Sequence, residues 1–100
     1  MLLDDATLAL LLREISAMEQ TLEANNLPGP NENAMKRLRS LSKVLTHANG
    51  YFADKCTELL ELAQAFYSNK ESSAFPGGTP HHYAVMLDSV HRMHRHADRL

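Results

Sequence analysis

The chain reads as an all-α protein: three antiparallel helices, the central one long, completing a helical bundle by dimerisation. Three observations predict it. Apolar residues recur at alternating spacings of three and four along most of the sequence, the seam of helices that pack at a shallow angle. Capping residues stand ahead of each apolar series. Two stretches rich in proline, glycine and polar residues break the pattern. At 100 residues the chain makes one domain at most, with helices expected over about residues 4–25, 32–69 and 80–99.

The first series runs Leu8, Leu11, Ile15, Met18, Leu22, widened by Leu12, with Asp4 or Asp5 as N-cap. Asn25-Asn26-Leu27-Pro28-Gly29-Pro30 ends it, because two prolines and a glycine do not continue a helix. Asn31 caps the next series: Leu38, Leu41, Leu45, Ala48, Phe52, Leu59, Leu62, Phe66. Lys55 falls on a seam position and is its one break. Asn49-Gly50 could turn the chain, and a glycine in a helix costs about 1 kcal/mol relative to alanine. The heptad phase nevertheless runs through both residues, which favours one continuous helix over two short ones. The alternative is a kinked second helix that closes a monomeric four-helix bundle. Ser68 to Gly78 reads as a loop. Thr79-Pro80 starts the last helix, a hydroxyl cap followed by proline at the first helical position, with the seam Tyr83, Met86, Val90, Met93, Ala97, Leu100.

These lengths are unequal: roughly 33, 57 and 30 Å at the rise of an α-helix. The middle helix also carries a second apolar stripe, Cys56, Leu60, Ala63 and Tyr67, beside its seam. One short neighbour cannot cover two stripes, and uncovered apolar strips mark interfaces. A homodimer is therefore expected, with Val44, Phe52, Cys56, Leu59 and Ala63 between the copies.

Charge is unevenly distributed. Residues 1–33 hold one basic residue against six acids, a net of −5, while residues 34–70 hold six basic residues against three acids, a net of +3. Lys36, Arg37, Arg39 and Lys43 cluster at the start of the second helix. The whole chain carries −2 and shows no recognition-helix pattern, so nucleic acid is not the expected partner. Cys56 is the single cysteine. It supplies no disulfide framework and reads as a small apolar packing residue, which fits a reducing, cytoplasmic setting. The apolar run Leu8–Leu12 is too short to cross a membrane.

No glycine-rich phosphate loop, nucleophile elbow or Ser/His/Asp arrangement is present, so no enzyme and no cofactor are expected. Six histidines in the chain include five near the last helix. His91, His94 and Asp98 share a face and would be the ligands of a metal or pH sensor, although a fourth ligand is missing. With Arg92, Arg95 and Arg99 these histidines give the last helix a positive potential in mild acid, suited to an acidic partner surface. The expected function is a small helical protein-interaction module acting as a regulator or adaptor. An antiactivator that sequesters a transcription regulator, or a chaperone of a partner protein, is the kind of role meant. A structural assembly subunit is the other interaction reading. Arg37, Arg39, Tyr51, Leu60 and Tyr67 are the expected partner contacts, because basic and aromatic side chains are the usual anchors of an interface.

Overall fold

A computed structural model describes residues 4–68 and 75–100. These residues form four helices: α1 (Asp5–Ala24), α2 (Glu32–Thr46), α3 (Gly50–Phe66) and α4 (Gly78–Asp98). The helices pack in a ring, α1 on α2, α2 on α3, α3 on α4 and α4 back on α1. The short α1–α2 and α2–α3 connections make an up-and-down bundle of 42 × 24 × 19 Å.

The single long helix expected over 32–69 is thus two helices. The reason is local. After Thr46 the Ala48 N–H turns back to the Leu45 carbonyl at 3.0 Å. Asn49 then leaves helical geometry (φ −166°, ψ 175°), and its Oδ1 accepts the Phe52 N–H at 2.9 Å. An asparagine with extended backbone and a side-chain bond to the third residue on is a helix N-cap. Gly50 becomes the first residue of α3, where its low helix propensity costs little. The heptad phase carried across this break without requiring a helix across it.

The break also rotates the seam. In α3 the buried residues are Phe52, Cys56, Leu59, Ala63 and Phe66, spaced four, three, four, three. Lys55 and Leu62, on the expected seam, are only half-buried. The break that Lys55 made in the sequence pattern therefore disappears: Cys56 takes the core position. Four of the five residues expected between two copies, Phe52, Cys56, Leu59 and Ala63, are buried in the core of the single chain at 1% exposure or less. Folding α3 back onto α2 and α4 covers the stripes that would otherwise have needed a second copy. Val44 alone of the five is exposed.

The remaining elements follow the sequence pattern closely. Asp4 caps α1 by accepting the Thr7 N–H at 2.7 Å, and that bond holds its carboxyl below the ordinary range. Leu11, Ile15, Met18 and Leu22 are buried. Asn31 caps α2 through the Ala34 N–H at 3.0 Å. The middle of the expected 68–78 loop, residues 69–74, and the tail of the expected second helix at 69 lie outside the described residues. Helix α4 begins two residues before the expected Pro80, and its N-cap is Gly77 with no side-chain cap bond; Thr79, expected as the cap, lies inside the helix. Gly77 precedes it at φ +93°, and a Cβ there would meet the His81 Cβ at 2.8 Å, so only glycine fits. Pro80 sits in the first turn, where a missing N–H leaves no helical bond unmade.

Among the described residues no buried side-chain nitrogen or oxygen lacks a partner. No helix there is long and apolar enough to cross a membrane. Replacing Asn49 by alanine removes the cap that divides α2 from α3. We expect Asn49→Ala to lower stability by about 1 kcal/mol, read as a shifted denaturation midpoint with unchanged slope.

Candidate functional site

A polar layer closes the end of the bundle where α1 stops. The last carbonyls of a helix have no intrahelical partner, and here side chains from distant helices take them. Tyr67 Oη donates to the Asn25 carbonyl at 2.7 Å and Tyr83 Oη to the Leu22 carbonyl at 2.9 Å. Asn25 Nδ2 donates to the Thr21 carbonyl at 2.8 Å, and Asn31 Nδ2 donates to Asn25 Oδ1 at 2.9 Å. The Gly29 N–H reaches the Phe66 carbonyl at 2.9 Å. Tyr67, expected at a partner interface, is buried and serves as a clamp between α1 and the end of α3. Its side chain crosses inward because the seam of α3 is rotated.

His82 belongs to the same end. It is buried, its Nε2 lies 2.8 Å from the Leu62 carbonyl, and Phe75 stacks on it with centroids 4.3 Å apart. The sequence offered no sign of this, since the carbonyl it meets is twenty residues away. Beside it a groove of about 550 Å³ runs between α3 and α4. Leu62, Ala65, Phe75 and Val85 supply its apolar lining; Glu58, Glu61 and Asp88 face Lys55 and Arg92 on its rims. Mixed rims select no particular charge.

Cys56 lies in the core, its Sγ 3.9 Å from the Met93 sulfur. Burial pushes the thiol above its ordinary value, and hydrogen bonding with Ser42 and Thr46 opposes that only in part. A buried, protonated thiol is a packing group, since the thiolate is the reactive form.

Of the three expected metal ligands, His94 and Asp98 pair with each other, while His91 turns to α1. His91 Nε2 lies 3.2 Å from Glu19 Oε1 on α1, while His94 Nδ1 lies 3.3 Å from Asp98 Oδ2 on its own helix. Among the described residues no three His, Cys, Asp or Glu side chains are grouped so that they could hold a metal ion.

Basic residues form two separate surfaces. On α2 the exposed side carries Lys36, Arg37, Arg39 and Lys43, with Ser40 and Val44 between them. Its internal partner is weak: Arg39 Nη1 lies 3.9 Å from Glu32 Oε1, with both side chains half or more exposed. Such a surface pair contributes little. Arg37 and Arg39 therefore stand where the sequence placed them, outward from the seam. The second surface lies at the other end of the molecule from Tyr67, where the first turn of α3 meets the last turns of α4. Tyr51 stacks on His96 there, centroids 4.1 Å apart and planes 20° from parallel. Tyr51 and Leu60, the other expected partner contacts, are both half-buried.

The chain matches no protein-family model, no curated protein and no solved structure.

Burial raises the Tyr67 phenol from its ordinary value near 10 to about 12. Folding therefore favours the neutral phenol, and this contribution is complete below pH 10 and fades as the pH rises towards 12. In an ultraviolet titration of the folded protein, Tyr67 should ionise in a late phase near pH 12. Tyr67→Phe should remove that late phase and lower stability by about 1 kcal/mol, the net worth of the lost hydrogen bond.

Proposed function

We propose that this chain is a non-catalytic helical interaction module that binds an acidic segment of a partner protein along the outer face of α2. The observation that carries the reading is the exposed α2 surface. Lys36, Arg39 and Lys43 follow one another at three and four residues, so they form one stripe. Arg37, Ser40 and Val44 form the next. Residues so spaced are neighbours on a helix surface. The helix is roughly 22 Å long at the α-helical rise. An amphipathic acidic segment of three to four turns matches it: carboxylates at the same spacing would meet the four cations, and an apolar side chain would meet Val44.

Protein fits this surface better than nucleic acid. One of the two helices beside α2 in the ring is α1, whose exposed or half-exposed Asp5, Glu14, Glu19 and Glu23 outnumber its single Arg13. A phosphate backbone running past α2 would meet that acidic flank, whereas a short segment would not. Basic residues at such a surface chiefly speed encounter and set register. Sequestering a transcription regulator, or chaperoning a partner until it is needed, is a role for a module with a closed core and an open basic face.

This reading needs no second copy, because four of the five residues that would have joined two chains, all but Val44, lie in the core. Light scattering at micromolar concentration should return the mass of a single chain; a dimer mass would show that another surface, such as the one around Val44, pairs copies.

The binding test uses a synthetic helical peptide with glutamates at three-and-four spacing around one leucine. Its resonance shifts should fall on α2, and the double charge reversal Arg37→Glu with Arg39→Glu should weaken binding at least tenfold while leaving the circular dichroism spectrum unchanged. Shifts on another face, or tighter binding of duplex DNA at the same ionic strength, would overturn the reading.

A further inference from the structure

We propose a second binding site, for a phosphoryl group, where the first turn of α3 meets the last turns of α4. Arg92, Arg95, His96 and Arg99 follow at spacings of three, four and seven, which puts them on one face of α4. That face meets Tyr51, and the five side chains line a concavity of about 210 Å³.

The site is a set of donors without acceptors. The guanidinium groups of Arg95 and Arg99 make no hydrogen bond or ion pair with any described residue, and neither does the Tyr51 hydroxyl. Arg92 is held by Asp88 through Nε at 2.6 Å, which leaves its terminal nitrogens available and fixes its direction. The Tyr51–His96 stack braces the wall, and Lys55 Nζ stands 5.6 Å from the Tyr51 ring centre. No acidic residue lines the concavity. Arg95 and Arg99 are like charges four residues apart, an arrangement that disfavours a helix by itself. The partial negative charge at the end of α4 favours basic residues there, but on any side. It does not account for three guanidiniums sharing the side that faces Tyr51.

The donor number points to the ligand. Each guanidinium can grip an oxyanion with a fork of two N–H groups. Three guanidiniums and a phenol exceed what the two oxygens of one carboxylate accept. A phosphoryl group presents three terminal acceptor oxygens and close to two charges. The group can come as free phosphate or on a phosphorylated side chain of a partner.

The test is a resonance titration at neutral pH and constant ionic strength, with chloride as reference. The probes are inorganic phosphate, an otherwise uncharged phosphoserine peptide, and that peptide without its phosphate. Saturable shifts at Tyr51, Arg95, His96 and Arg99 are expected with at least one phosphorylated probe. R95Q and R99Q should each weaken binding about tenfold, while R37Q on α2 should not change it, which separates this site from the acidic-segment surface. A peptide much tighter than free phosphate identifies the phosphorylated side chain as the source; comparable affinities identify the free anion. Shifts that never saturate, equal weakening by R37Q, or no response to either phosphorylated probe would overturn the proposal.

Discussion

Asn49, just past the end of α2, opens α3 with a single side-chain oxygen. Its Oδ1 accepts the Phe52 N–H at 2.9 Å, and its carbonyl accepts the Ala53 N–H at 3.1 Å. Through that cap the chain reverses between α2 and α3, and the reversal decides how many helices the core has. Without it, α1 and α4 would lie end to end along one long helix and leave two apolar stripes open. With it, four helices of comparable length enclose Phe52, Cys56, Leu59, Ala63 and Phe66 from all sides. Each such side chain removed from water contributes on the order of 1.5–3 kcal/mol for the larger residues. One capped turn therefore governs far more free energy than its own hydrogen bond carries.

The far end of the bundle solves a different problem with the same economy of parts. The carbonyls that end α1 would compete for water, yet the chain there must pack against the ends of α3 and α4. Tyr67 and Tyr83 bring their hydroxyls to those carbonyls from 42 and 61 residues away. Their rings meanwhile pack around Phe66. An aromatic residue with a polar tip suits this position, since its body stays in the apolar layer while its end satisfies backbone. Both phenols are held neutral by burial, and Glu19 and Glu23 reinforce that effect at Tyr83.

With the core closed in this way, recognition is left to the outside, and there the charges are sorted by helix. The acids of α1 and the cations of α2 occupy neighbouring faces, while the arginines of α4 gather at the turn that Asn49 creates. The two basic surfaces differ in kind. That on α2 is open and linear, so it suits an extended contact. That on α4 is concave and backed by a stacked Tyr51–His96 pair, so it suits one compact anion. Neither contains a proton-transfer pair or a reactive thiol.

Periodicity and capping residues alone determined the helical class, the bounds of α1 and α4 to within about two residues, and the core faces of those helices. They did so because three-and-four spacing, and in α1 the Asp4 cap, act within one helix. The outward cations of α2 were legible for the same reason. The count of helices was not, because a heptad phase can persist through a break and the two states differ by little in local free energy. Only the tertiary structure decided it, since the gain comes from covering stripes across three other helices. That decision moved Cys56 and Ala63 inward, turned Tyr67 from a surface residue into a clamp, and carried Tyr51 to the arginines of α4. Each of those placements depends on residues more than thirty positions apart, which no spacing along the chain encodes.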